Sequence, residues 1–133
     1  MYIDWLPSYS VGVKEIDDQH KQFVLLINDL NDTLEICCEE IELGDIIKQL
    51  LAYADYHFAT EEKYFDSFSY PGTEKHKKIH QDFRNTVVDF QKKYFGQENK
   101  VAKEVMNFMK DWLADHINTV DKDYSKCFKE NGL

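Results

Sequence analysis

Apolar residues recur at steps of three and four along four stretches of the chain, and this rhythm predicts four amphipathic helices. Asp17 or Asp18 is suited to cap the first helix, and Gly44 with Asp45 marks the break before the second. The stretch before the first helix, residues 1–16, holds proline and glycine and is predicted to be an irregular arm. The predicted helices span about 17–38, 45–68, 73–95 and 98–117, the last with a continuation to about 130.

The short connections between these helices favour one architecture. Helices joined by few residues pack as antiparallel neighbours, so the sequence predicts an all-α, up-down-up-down antiparallel four-helix bundle with an irregular N-terminal arm. The 133 residues suffice for one domain with a single core, and we assign the whole of 1–133 to it. The chain holds only five Gly and two Pro, which argues against a turn-dense β-sandwich.

Charge and cysteine content exclude several classes of partner. The net charge is −9, and such a chain repels nucleic acid and anionic membrane surfaces. No stretch approaches the roughly 20 apolar residues of a membrane helix, and no signal-peptide pattern opens the chain, so a cytoplasmic, monomeric protein is expected. Cys37 and Cys38 are adjacent and Cys127 stands apart, a set that offers no disulfide framework.

The chemically informative feature is the position of the histidines. All five fall on the apolar stripes of the predicted helices, at positions that ordinarily hold Leu or Phe, and one acid, Glu61, does the same. An ionised carboxylate on such a stripe costs several kcal/mol unless a charge such as a metal ion compensates it. The five histidines are His20, His57, His76, His80 and His116.

The spacing of these residues indicates a shared metal site. His57 with Glu61, and His76 with His80, stand four positions apart, so each pair projects from one face of its helix. In an up-down-up-down bundle all five histidines belong to the same end. The ligands can therefore converge without any movement of domains.

His116 and Asp121 are spaced less regularly. A step of five residues turns the second side chain about 140° away from the first on an ideal helix, so Asp121 would miss the face of His116. Two alternatives follow from this spacing. Either the helix is distorted near Asn118-Thr119, or it breaks there and restarts.

Each of these features also has a plain structural interpretation. A single histidine on an apolar face is usually a hydrogen-bonded core residue, and an isolated His–Glu pair usually lies on the surface. That interpretation does not account for five inward histidines at one end together with two buried carboxylates. Five imidazoles, two bridging carboxylates and a shared solvent-derived oxygen suit two octahedral ions with one open position, and the lack of thiolates disfavours structural zinc and iron–sulfur clusters.

Several motifs together resemble the hemerythrin family, most closely its single-domain bacterial members, over nearly the whole chain. The first motif is Trp5, then Val11-Gly12-Val13, and then Ile16-Asp17-Asp18-Gln19-His20-Lys21. The second is His57-Phe58-Ala59-Thr60-Glu61-Glu62, followed by Tyr70-Pro71-Gly72, His76 and His80. The third is Trp112-Leu113 before His116, with Asp121 followed by Tyr124.

The resemblance implies a role for each of the candidate ligands. His76, His80 and His116 would bind one iron, whose coordination is then full, and His20 and His57 would bind the other, which keeps a vacancy. Glu61 and Asp121, with a solvent-derived oxygen, would bridge the two irons. In this family the open iron binds dioxygen reversibly, and both irons supply electrons to it.

On this basis the sequence predicts a non-enzymatic protein that binds dioxygen for storage, or for delivery to a transient partner such as an oxygen-using enzyme. The Glu-x-x-His motifs of carboxylate-rich di-iron enzymes are absent, and neutral imidazoles favour ferrous over high-valent iron. Two alternatives stay open: an oxygen or redox sensor that acts through a partner, and an enzyme that handles peroxide or nitric oxide at the same irons. The predicted wall of the oxygen pocket consists of Phe23, Phe58, Trp112, Leu113 and Ile117.

Overall fold

The fold is a helical bundle, seen in a computed structural model that describes residues 3–36, 40–93, 98–117 and 120–133. Its helices are α1 (Lys14–Ile36), α2 (Glu40–Ser67), α3 (Thr73–Lys93), α4 (Glu98–Asp111) and α5 (Ser125–Glu130). α1 packs against α2 and α4, and α3 packs against the same two helices. The predicted all-α four-helix bundle is confirmed. Within the described ranges, none of the helices has the length and apolarity needed to cross a membrane.

α2 begins five residues before the predicted start. The helix runs from Glu40 through Gly44, which the sequence predicts as a break. A single glycine lowers helix stability by only about 1 kcal/mol relative to alanine, and Ile46 and Ile47 on the following turn are buried in the core. Tertiary packing therefore outweighs the local signal at this position.

α1 also begins earlier than predicted, at Lys14, and Asp17 does not cap it. The carboxylate of Asp17 accepts hydrogen bonds from the Ser10 hydroxyl at 2.5 Å and from the backbone N–H of Val11 at 2.8 Å. Asp18 instead pairs with Lys14 at 2.6 Å on the surface. The predicted helix cap therefore anchors the preceding segment to the bundle.

The N-terminal segment is more ordered than an irregular arm. It contains a short 3-10 turn over Pro7–Tyr9, and the side chain of Asn28 exchanges two hydrogen bonds with the backbone of Ile3. Gly12 has a φ of +77°, and a Cβ there would lie 2.5 Å from Lys129 of α5. The left-handed backbone favours glycine at this turn, whereas the flexible end of the Lys129 side chain could move aside.

The chain after α4 does not continue as a regular helix. A π-helical segment covers Trp112–Ile117, and a 3-10 turn over Val120–Tyr124 leads directly into α5. The distortion predicted near Asn118-Thr119 thus begins earlier, and those two residues lie outside the described ranges. The hydroxyl of Ser125 donates to the backbone carbonyl of Val11, so this segment closes over the N-terminal one.

Two apolar clusters flank a polar layer at one end of the bundle. The larger cluster includes Phe58, which stacks on His80 with a ring separation of 3.8 Å. The smaller one includes Phe65, whose ring lies 4.8 Å from that of His76. The histidines therefore lie between the two clusters.

Cys127 is the one cysteine within the described ranges. Cys127, on α5, is half-buried, and its thiol is free. It packs at the edge of the smaller cluster, which holds Phe128. Cys37 and Cys38 lie outside the described residues, so their predicted lack of pairing stays a prediction.

Candidate metal centre

The structure brings the seven predicted ligand residues together in two groups that share Asp121. Within each group the potential ligand atoms all lie within 4.8 Å of one another, and every member is buried. The three-histidine group consists of His76, His80, His116 and Asp121. The two-histidine group consists of His20, His57, Glu61 and Asp121.

Three helices and the two irregular segments after α4 contribute to this centre. α1 carries His20, α2 carries His57 and Glu61 one turn apart, and α3 carries His76 and His80 one turn apart. His116 belongs to the π-helical segment, and Asp121 belongs to the 3-10 turn that follows it. The centre therefore requires the whole fold, because no single element supplies either group.

Asp121 faces both groups with different oxygens. Its Oδ1 lies 2.7 Å from Nε2 of His116 and 3.0 Å from Nε2 of His76. Its Oδ2 lies 3.1 Å from Nε2 of His20. This is the arrangement of a carboxylate that can bridge two ions with one oxygen toward each.

Glu61 reaches both groups through one oxygen. Its Oε1 lies 3.0 Å from Nε2 of His57 and 3.3 Å from Nε2 of His80. The Nε2 atoms of His20 and His57 are 3.2 Å apart. Each of the two carboxylates therefore contacts histidines of both groups.

Most of these close approaches lack hydrogen-bonding geometry. Both oxygens of Glu61 and Asp121, and the Nε2 atoms of His76, His80 and His116, are buried without a hydrogen-bond partner in the described part of the chain. Burying such atoms unpaired costs about 1–3 kcal/mol or more each. Two ligands at right angles around an ion, each about 2.1 Å from it, lie about 3 Å apart, which is the separation found between carboxylate and imidazole here. The donor set therefore fits metal ions better than a hydrogen-bonded core.

The electrostatics of the centre favour ionised carboxylates. Burial and the charge of Asp121 raise the pKa of Glu61. The neighbouring His57 and His80 lower it by a larger amount, so the pKa of Glu61 lies below the usual range of a carboxyl group. Burial likewise raises the pKa of Asp121, and His116, His20 and His76 together bring it well below its ordinary value. For His76, burial lowers the pKa, but Asp121 and Glu61 raise it above the ordinary value of an imidazole.

Two polar side chains orient ligand histidines from behind. Nδ1 of His57 lies 2.5 Å from Oε1 of Gln19, whose amide nitrogen donates to Thr60 at 3.2 Å. Nδ1 of His80 lies 2.9 Å from Oε2 of Glu62. Such partners fix the ring so that Nε2 faces the metal. Sequence reasoning missed both roles, although each residue adjoins a predicted ligand in the chain.

Aromatic rings surround the centre. Phe58 stacks on His80 and Trp112 stacks on His116, at 3.8 and 3.9 Å, and the ring of Phe58 also lies 5.8 Å from that of His57. Phe58 follows His57 directly, so its ring points about 100° away from that ligand, toward α3. Leu113 and Ile117 are buried in the larger apolar cluster together with Phe58.

Tyr53, which sequence reasoning did not single out, lies beside the two-histidine group. Its ring stacks on that of His57 at 5.3 Å with an interplanar angle of 12°, and it lies 5.6 Å from the ring of Phe23. Burial, and then the charges of Glu61 and Asp121, raise its pKa well above the ordinary value. The phenol is therefore within electrostatic reach of both carboxylates and stays protonated.

Comparison with known proteins agrees with this geometry. The family model described as the hemerythrin HHE cation binding domain matches residues 11–127. A bacteriohemerythrin from Methylococcus capsulatus is 33% identical over 119 residues, which are 90% of each chain. A myohemerythrin from Theromyzon tessulatum is 32% identical over 120 residues, covering 90% of this chain and 88% of its own. A wild-type hemerythrin crystal structure matches with a TM-score of 0.86 at 31% identity, covering 96% of this chain and 98% of that one. The chain therefore belongs to the hemerythrin family.

Proposed function

We propose that this protein binds dioxygen reversibly at a non-haem di-iron centre held by the two groups that share Asp121. The observation that carries the proposal is the convergence of seven buried side chains, five of which have ligand atoms without a hydrogen-bond partner in the described part of the chain. Membership of a family whose members include bacteriohemerythrins and a myohemerythrin supports the same function.

The two groups offer different numbers of protein ligands. The three-histidine group supplies three imidazoles and Asp121, and Glu61 lies within 3.3 Å of His80, so five protein atoms are available for one octahedral ion. The two-histidine group supplies two imidazoles and the same two carboxylates, which makes four. With one protein atom fewer, the two-histidine group would leave room for a small exogenous ligand at its ion, next to His20 and His57, if a solvent-derived oxygen completed the shared ligand set.

Residues of this chain make the position suitable for a small apolar gas by orienting the ligands and excluding water. When bound, the irons supply electrons to dioxygen and recover them on its release. Gln19 and Glu62 hold the rings of His57 and His80 in place through their Nδ1 atoms. We propose that Phe23, Phe58, Trp112, Leu113 and Ile117 wall the centre and exclude water, which protects the bound gas from irreversible reduction.

A binding role fits the ligand set better than an oxidising one. Five neutral imidazoles donate less negative charge than a carboxylate-rich set, so they favour the ferrous state that binds dioxygen. We therefore propose storage or delivery of dioxygen by a monomer in the cytoplasm, with any oxygen-using enzyme as a transient partner.

Metal and gas stoichiometry test the proposal. Protein purified from iron-replete cells should hold about two irons per chain, and after reduction it should take up one dioxygen per pair of irons in an optical titration. One tightly bound zinc without iron, or an iron-loaded chain that binds no dioxygen, would contradict it.

A further inference from the structure

The hydroxyl of Tyr53 is a buried donor with nothing to donate to. It lies inside the bundle without a hydrogen-bond partner in the described part of the chain. The small exposed fraction of the residue, 7%, faces a surface groove between α1 and α2 that is also lined by Leu25 and Tyr56. The hydroxyl oxygen is therefore buried, although part of the residue reaches the groove.

The position of the ring brings this hydroxyl to one particular side of the centre. Tyr53 precedes His57 by one helical turn and stacks on its imidazole, and Phe23 of α1 holds it from the other side. His57 belongs to the two-histidine group, which offers the smaller number of protein ligands. In the three-histidine group, Phe58 and Trp112 stack on the imidazoles and carry no hydroxyl. Tyr124, whose hydroxyl is also buried without a partner in the described part of the chain, lies 5.7 Å from His76 of that group.

We propose that the Tyr53 hydroxyl donates a hydrogen bond to the small exogenous ligand bound at the two-histidine group. A phenol is protonated at neutral pH, so it meets the ligand as a donor. Charge moves onto dioxygen when it binds to reduced iron, and a small anion such as azide carries charge already, so both are better acceptors than a neutral gas. Tyr53 is thus a positioning and selectivity residue that favours electron-accepting or anionic ligands. The inference rests on the proposed function.

The experiment compares Tyr53→Phe with wild type in the iron-loaded, oxidised full chain, with azide as the probe. The variant keeps the stacked ring and removes only the hydroxyl. We expect azide to bind about tenfold more weakly, because a hydrogen bond to a charged acceptor is worth about that factor. The infrared stretching band of bound azide should also shift between the two proteins. Tyr56→Phe, which removes an exposed hydroxyl from the same helix, should match wild type in both measurements.

A readout without iron separates this role from packing. The thermal unfolding midpoint of metal-free Tyr53→Phe should be no lower than that of wild type, because the hydroxyl it loses is unpaired. Equal azide affinity and an unshifted band in Tyr53→Phe would overturn the inference and leave the proposed function intact. Loss of iron from a folded Tyr53→Phe would also overturn it, since the tyrosine would then support His57 rather than the ligand. Failure of wild type itself to hold iron would refute the proposed function and the inference with it.

Discussion

Nε2 of His116 lies 2.7 Å from Oδ1 of Asp121, although the two residues are five positions apart in the chain. A straight α-helix would place them about 140° apart around its axis. The π-helical segment Trp112–Ile117 and the 3-10 turn Val120–Tyr124 remove that mismatch. This irregularity brings one carboxylate into both groups, which fits the frequent occurrence of π-helical turns at functional sites.

Glu61→Ala should abolish stable metal binding. The change removes the carboxylate that contacts both His57 and His80, and two cations would then share a buried site with one fewer anion. Because site assembly and folding are linked, the unfolding midpoint of protein purified with iron should fall as well. Glu74→Ala, which removes an exposed carboxylate of α3, should keep its iron. Wild-type iron content in Glu61→Ala would show that Glu61 is not a ligand.

Gln19→Leu should weaken metal binding at the two-histidine group. The substitution removes the acceptor at 2.5 Å from Nδ1 of His57, and loss of such a partner typically lowers metal affinity about 10- to 100-fold. Competition with a chelator measures the change, and Gln22→Leu, on the exposed face of the same helix, is the control. Equal iron retention in both variants would mean that His57 needs no orienting partner.

Leu113→Ala should shorten the lifetime of the oxygenated protein. Leu113 is buried one turn before His116, and its truncation opens a route for water while every ligand remains. The measurement is the decay of the oxygenated absorbance band. Phe83→Ala, which removes the ring packed on Phe58 and Trp112, should mainly cost stability, about 3–5 kcal/mol. If the oxygenated band of Leu113→Ala decays at the wild-type rate while the iron content is intact, Leu113 does not shield the position where dioxygen binds.

Metal-free protein should be most stable at mildly acidic pH. The pKa values of Glu61 and Asp121 are lowered on folding. Their ionised forms therefore add to the free energy of unfolding above about pH 4.5, and this gain is lost as the pH falls through the pKa values of the folded state. The pKa of His76 is raised on folding. Its protonated form therefore adds fully to the free energy of unfolding below about pH 6.5, and this gain is lost as the pH rises through the pKa of the folded state. Unfolding midpoints of the metal-free chain should therefore peak between about pH 4.5 and 6.5.

The iron-bound form should show the opposite trend, because ligation requires neutral imidazoles and protons compete with the metal. Its midpoint should fall as the pH decreases from about 8 to 5. Metal-free His76→Gln separates this site effect from the change in overall charge, since it removes one imidazole and leaves the other titrating groups. The same pH optimum in metal-free wild type and His76→Gln would contradict the assignment of the upper limit to His76.

The ligand candidates could be predicted because a histidine or acid on an apolar stripe is anomalous in the sequence itself. His57 with Glu61, for example, interrupts a stripe otherwise made of large apolar residues, and the bundle topology places the other histidines at the same end. Four helices could be predicted for the same reason, since each repeats its apolar face over several turns.

The remaining features depend on contacts that the sequence does not display. The π-helical turn before His116 has no local composition signal, and its start lies several residues before the position predicted. Gln19 and Glu62 resemble ordinary helix-surface residues until the neighbouring helix supplies an imidazole. The stacking of Phe58 on His80 depends on which neighbour α2 meets on that face, and the apolar periodicity of α2 does not display this contact.

Repeated oxygenation of the reduced, iron-loaded chain tests the central claim most directly. The optical spectrum would be followed while dioxygen is admitted and then removed under vacuum, with peroxide measured after each cycle. Reversible binding predicts a band that appears with dioxygen, disappears when dioxygen is removed and returns with nearly the same intensity over several cycles, without stoichiometric peroxide. A spectrum that changes once and cannot be reversed, with one peroxide released per two irons, would identify an oxidising centre and contradict it.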